Sequence, residues 1–323
     1  MINQFLNYLR YERNASPQTV QTYDESLREF ESYISLRDNR LLIELADADL
    51  IRDWMESLMD KGNTASTINK KLSALRSFYR FALKRKLVGK DPAHCITGPK
   101  KSKPLPQFLR EGEMDNLLDG LEWDENNYKD VRARTLLLLF YEAGLRRAEL
   151  IGLDDGDVDF TANQLKVTGK RNKQRIIPFG KELAEALSLY RAARDEQGEK
   201  ISDAFFLNDK GDRMTAQQVY NLVRKYLSEV TSLKKRSPHV LRHTFATAML
   251  NHGSDLESIK NLLGHESVSG LLHKQSASGH CHGEAGLLVL GRGRLHYFQL
   301  HLHLLYILKR FFQLGDLLFD ERL

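Results

Sequence analysis

The 323-residue chain contains only two cysteines, Cys95 and Cys281, far apart in sequence. That argues against a disulfide scaffold and against a cysteine-rich zinc site. No charged-then-apolar leader opens the chain and no uninterrupted apolar run suits a bilayer, so the cytoplasm is the expected compartment. The most apolar stretch, Leu287 to Leu308, is broken by Arg292, Arg294, His296, His301 and His303. Acidic residues are scarce in one markedly basic segment. Met1 to Asp60 carries 12 acidic and 6 basic residues, whereas Lys61 to Lys103 carries 12 basic residues and one acid, Asp91. A step that sharp exceeds what solubility needs and points to a polyanionic partner, although a solvated basic helix face is the plain alternative.

What is present is the material of a soluble globular protein, with 41% hydrophobic and 28% charged residues over a length that accommodates two cores. The N-terminal third predicts four helices. "INQFLNYLRYER" is the first, and "SPQTVQTYDESLREFESYI" starts with Ser16 as cap and Pro17 at the first helical position. "DADLIRDWMESLMD" is the third. The fourth, "TASTINKKLSALRSFYRFALKRK", gathers Ile68, Leu72, Leu75, Tyr79 and Ala82 on one face, with Lys70, Arg80 and Lys84 opposite and Gly89 as the expected stop. One side can be buried while a row of cations is presented. The three prolines and three lysines of "ITGPKKSKPLPQF" suggest a linker.

Beyond it, "VRARTLLLLFYEAG" predicts a buried helix and "NQLKVTGKRNKQRIIPF" a β-hairpin with a basic tip. "KELAEALSLYRAARDE", "TAQQVYNLVRKYLSEV" and "SPHVLRHTFATAMLNHG" predict helices, the last capped by Ser237 and ended by Gly253. The fold class is therefore mainly α with a small antiparallel sheet, in two domains able to close around something.

His239 and Arg242 share a helical face near the positive end of the dipole, an arrangement that suits a phosphate. Arg146 follows Gly144 where one helix ends and another begins. Lys170 sits at the hairpin tip, and His265 lies just past Gly264 at the end of an apolar helix. Singly these read as a surface arginine, a solvated turn lysine and a capping histidine. Together and in this order, "GLRRAEL", the hairpin lysine, "HVLRH" and "LGH" resemble the tyrosine recombinases of the phage-integrase type, and most nearly the short Xer-type enzymes.

The resemblance runs from Met1 to Ser269. It implies a C-shaped DNA clamp made of a helical core-binding domain over 1–95, a linker over 96–106 and a catalytic domain over 107–269, with an atypical tail over 270–323. It also implies a metal-free and cofactor-free transesterification through a 3′-phosphotyrosyl link. Arg146 and Arg242 would hold the phosphate charge, Lys170 would protonate the 5′-oxygen, and His239 and His265 would assist. The implied partners are double-stranded DNA, which Lys70, Arg80 and Lys84 would contact, further subunits in a tetramer on two sites, and a septal DNA translocase.

The pattern then breaks. The family's tyrosine lies nine residues past the histidine of "LGH", and Lys274 stands there; no tyrosine occurs between Tyr226 and Tyr297. The last 54 residues hold six of 11 histidines and two lysines, without clean period or cap, which reads as a frameshifted or recombined reading frame. Tyr297 and Tyr306 are the remaining candidates, and in-line attack demands placement that an unrelated tail meets only by chance. The adjacent ligands of "HCH" at 280–282 make a poor metal site. "LDDGDVDF" lacks the glycine and glutamate of an EF-hand. Three functions stay open: a recombinase, a DNA-binding member of a recombinase complex without chemistry, and a metal-dependent nuclease using Asp154, Asp155 and Asp157.

Overall fold

The computed structural model describes residues 1–38, 40–101, 107–169, 172–198 and 201–264. It is mainly helical with one small antiparallel sheet, and it divides into two compact units with the boundary between Leu105 and Pro106. Among the described residues no helix is long and apolar enough to cross a membrane.

In the first unit α1 (Ile2–Asn7) widens into a π turn over Tyr8–Glu12, followed by α2 (Pro17–Arg37), α3 (Ala48–Asp60) and α4 (Ala65–Lys84). Each long helix starts on a side-chain cap: Ser16 accepts the Thr19 N–H, Asp47 that of Leu50 and Thr64 that of Thr67. Phe5, Phe30, Trp54, Leu72 and Phe78 form the core, and Tyr79 completes it by donating its hydroxyl to the Ile43 carbonyl at 2.6 Å. Lys70, Arg80 and Lys84 are exposed, as the helical spacing predicts.

Helix α4 does not stop at Gly89. Lys86 takes the left-handed conformation at φ 56°, and the Leu87 N–H closes on Ala82 at 2.9 Å. The chain must turn there because Ala93 and Ile96 return to the core, where Arg76 donates to both carbonyls. Asn69 then donates to the Pro99 carbonyl at 2.8 Å, so the first residues of the expected linker lie along α4.

The second unit contains α5 (Glu111–Asp115), α6 (Tyr128–Ala143), α7 (Arg147–Ile151), β1 (Val158–Asp159), β2 (Gln164–Thr168), β3 (Gln174–Pro178), α8 (Lys181–Asp195), α9 (Ala216–Val230), α10 (Pro238–Asn251) and α11 (Leu256–Leu263). Helix α6 is apolar on nearly every side because α8 and α10 pack against it. The hairpin of β2 and β3 pairs Val167 with Arg175 and Leu165 with Ile177, and β1, a strand the periodicity does not reveal, adds to the β2 edge. Ser237 stands at the head of α10 but makes no side-chain cap bond; Pro238 at the first helical position sets the start instead.

The acids of "DDGDVD" are engaged in structure. Asp154 pairs with Arg213 at 2.5 Å, Asp155 with Arg194 at 2.6 Å, and Asp157 accepts the Asp154 N–H. They do not converge on one point, and among the described residues no cluster of three or more His, Cys, Asp or Glu side chains could hold a metal ion. The "HCH" triplet lies outside the described residues.

Candidate active site

Gly144 ends α6 in the left-handed conformation at φ 57°, and the next turn delivers Arg146 to the head of α7. Only glycine fits at 144. A Cβ there would stand 2.4 Å from Cδ1 of Phe245 on α10 and 3.0 Å from Leu263 of α11. The close approach brings three segments together: the end of α6, the middle of α10 and the last turn of α11.

Arg242, on α10, reaches through this contact. Its guanidinium donates to the Gly144 carbonyl and to the Leu263 carbonyl, each at 2.5 Å. Arg146 donates to Gly264 at 2.8 Å and to Oε1 of Glu149 at 2.5 Å. The two sequence-predicted arginines are therefore held on one carboxylate, with Arg242 3.7 Å from Glu149 Oε2. Arg242 is almost fully enclosed while Arg146 keeps 22% of its side chain exposed, so Arg146 is the outward-facing member.

Glu149 is the centre of the cluster. Its side chain is 3% exposed, and it accepts the Arg146 backbone N–H at 2.8 Å besides that residue's guanidinium. Arg175 of β3 grips it from the other side with two parallel bonds of 2.9 Å. Burial alone would raise the Glu149 pKa, but the bonds and charge of Arg175 and Arg146 outweigh it and hold it at about 2. Burial, with Arg146 and Arg175 nearby, lowers Arg242 to about 9, and Glu149 opposes them. Arg242 thus keeps its charge at neutral pH.

His239 lies at the head of α10, one turn before Arg242. Partial desolvation and the charges of Arg147, Arg242 and Arg146 push its pKa below the ordinary imidazole value, so the ring is neutral at pH 7. Arg147 also ties α7 to the first residue of α9 through the Ala216 carbonyl. Lys170, His265, Lys274, Tyr297 and Tyr306 lie outside the described residues. The structure therefore brings Arg146, His239 and Arg242 into one neighbourhood.

Two residues of this site were not singled out from the sequence, and both left a signal. Glu149 stands three after Arg146, the position from which a glutamate reaches back to a helix start. Arg175 shares the inner face of β3 with buried Ile177, whereas Ile176 is half exposed. A charge on the inward side of a strand must find an internal partner. What the arrangement can do is hold an anion: two fixed guanidinium groups and a neutral imidazole suit a phosphate whose negative charge grows in a transition state.

Comparison with known proteins agrees. The Phage integrase family matches residues 107–273 and the family "Phage integrase, N-terminal SAM-like domain" matches residues 2–86. Tyrosine recombinase XerC of Pelotomaculum thermopropionicum is 36% identical over 274 residues, 82% of this chain and 89% of that protein. XerC of Bacillus subtilis is 35% identical over 267 residues, 81% of this chain and 87% of its own length. XerD of Staphylococcus epidermidis is 34% identical over 269 residues, with 82% and 90% covered. In fold, the XerH site-specific recombinase bound to a palindromic difH substrate superposes with a TM-score of 0.69 at 23% identity, covering 86% of this chain and 83% of that one. The Tn1549 transposon integrase in complex with transposon right end DNA gives 0.66 at 20% identity, covering 87% and 95%.

Proposed function

From the premise that the chain belongs to the phage integrase family, among its Xer-type tyrosine recombinases, we propose that it binds double-stranded DNA at specific sites and that its arginine pocket holds the scissile phosphate. The observation that carries this reading is the convergence of Arg146 and Arg242 on Glu149 and on the last turn of α11, with His239 beside them. In the full reaction a tyrosine hydroxyl attacks the phosphate, leaving a 3′-phosphotyrosyl ester and a free 5′-hydroxyl. Arg146 and Arg242 neutralise the non-bridging oxygens and Lys170 protonates the departing 5′-oxygen. His239 and His265 hydrogen-bond the phosphate. Religation reverses the same step, so the ester conserves the bond energy without a nucleotide.

Lys70, Arg80 and Lys84 supply the first unit's phosphate contacts. Further subunits on a second site complete the assembly in the cytoplasm. A septal DNA translocase is the partner to expect if the sites are those of chromosome dimer resolution rather than of a mobile element.

A second reading has its own observation. Lys274 occupies the place nine residues past His265 where the family carries its tyrosine, and the family match ends at residue 273. On that reading the chain occupies sites in a recombinase complex and does not cut. Covalent trapping separates the two. Nicked duplexes bearing Xer-type sites, which lose the 5′-hydroxyl fragment after cleavage, are mixed with the full chain beside a binding assay and an intact relative. An SDS-resistant protein–DNA band mapping to Tyr297 or Tyr306 establishes cleavage by this chain. Binding without a band, where the relative gives one, establishes the non-catalytic role.

A further inference from the structure

At the last turn of α11, where a helix leaves its final carbonyls open to other donors, three successive carbonyls are taken up by side chains. Each accepts from a different arginine: Leu262 from Nε of Arg175 at 2.8 Å, Leu263 from Arg242 at 2.5 Å and Gly264 from Arg146 at 2.8 Å. The same three guanidinium groups surround one carboxylate, Glu149, but not equally. Arg175 takes both of its oxygens at 2.9 Å, Arg146 takes one and Arg242 stays at 3.7 Å.

The charge balance explains why a third arginine matters. Arg146, Arg242 and Glu149 alone would sum to a single positive charge, and the carboxylate would draw both guanidinium groups inward. With Arg175 added the sum is two positive charges, and each Glu149 oxygen is shared: Oε1 between the Arg175 and Arg146 guanidinium groups, Oε2 between Arg175 and the Arg146 backbone N–H. The packing around Arg175 is close. A Cβ on Gly264 would lie 3.3 Å from its Nη1, and one on Gly169 at the hairpin base 3.5 Å from the same atom. All three of its guanidinium nitrogens are engaged, Nε on the Leu262 carbonyl and both Nη on Glu149, which leaves it little to offer a ligand itself.

We propose that Arg175 is a positioning residue of the phosphate pocket: by saturating Glu149 and pinning the last turn of α11, it leaves Arg146 and Arg242 their charge for a DNA phosphate. This rests on the reading that the pocket holds such a phosphate. Arg175 touches no substrate; it acts through Glu149 and through the Leu262 carbonyl. Lysine cannot replace it fully, because a point charge cannot grip both oxygens and a carbonyl in one plane.

The test uses the full chain and a duplex that it selects from a random-sequence pool. Each phosphate near the site is replaced in turn by a neutral methylphosphonate, and the position at which Arg146→Gln abolishes the preference for phosphate marks the pocket. At that position the ratio of the two Kd values reads the pocket's charge apart from the rest of the interface. Arg175→Gln should reduce the ratio about tenfold while changing the Kd for the methylphosphonate duplex less than about twofold. Arg175→Lys should recover part of the ratio. Equal loss on both duplexes would show a role in folding alone, and an unchanged ratio would show no role; either overturns the proposal. Should Arg175→Gln not fold, a wild-type ratio in Arg175→Lys overturns it unaided. If the wild-type chain shows no preference at any position, the reading of the pocket fails first and carries this inference with it.

Discussion

Replacing Glu149 by glutamine changes one atom and the charge balance of the whole site. The carboxylate accepts two bonds from Arg175 and two from Arg146, one of those from the backbone. Glutamine has one acceptor oxygen, and its amide would point N–H groups at guanidinium groups. Three arginines would then face each other with no buried negative charge among them. Holding the carboxyl at about 2 rather than the ordinary 4.5 corresponds to about 3 kcal/mol of folding free energy. Breaking a buried ion pair from one side costs about 3–5 kcal/mol, so the two routes agree.

The sign follows from the depressed carboxyl pKa. The contribution is fully present above the unfolded value of 4.5 and is lost as pH falls toward about 2. The assay is urea unfolding of the full chain with Trp54→Phe, which leaves Trp123 as the sole tryptophan and reporter of the second unit. Glu149→Gln should lower that unit's stability by about 3 kcal/mol at pH 7, with the deficit shrinking between pH 4.5 and 2. A deficit below about 1 kcal/mol, or one that does not change with pH, would refute this account of Glu149.

Gly144→Ala should destabilise the second unit by about 2–4 kcal/mol in the same assay, because its Cβ would meet Phe245 at 2.4 Å. It should also weaken DNA binding, since the Gly144 carbonyl anchors Arg242. Replacing Lys70, Arg80 and Lys84 together by alanine should weaken binding across all sequences and reduce the slope of log K against log salt by about 2–3; an unchanged slope would remove this face of α4 from the interface. NMR titration should place the His239 pKa below 6.5, and Arg147→Gln should move it up, because Arg147 is the first of the charges that depress it. A His239 pKa at or above 6.5 in the wild-type chain would contradict the crowding of arginines around it.

Much of the fold was legible because local chemistry and packing agree. The cap at Ser16 and the apolar face of Ile68, Leu72, Leu75, Tyr79 and Ala82 are where the sequence predicts them, and the structure adds caps at Asp47 and Thr64. Helix ends were less legible. Gly89 offered the conformational freedom for a stop, but the return of Ala93 and Ile96 to the core forces the reversal at Lys86. The two-residue strand β1 exists only by its register against β2, which no local pattern encodes.

The site divides in the same way. Sequence alone determined the chemistry on offer: Arg146 at a helix start, His239 and Arg242 one turn apart, a basic face on α4, and a tyrosine-free run from 227 to 296. These follow from residue identity and from a spacing of three or four, which one helix converts into a shared face. Only the tertiary structure decided that Glu149 and Arg175 belong to the same site, since 26 residues separate them and a helix must meet a hairpin to join them. It alone decided that Asp154 and Asp155 of "DDGDVD" answer separate arginines while Asp157 caps a backbone N–H. The physical reason is the same in both cases: a buried charge is satisfied by whatever partner the packing brings near, and sequence order does not fix that partner.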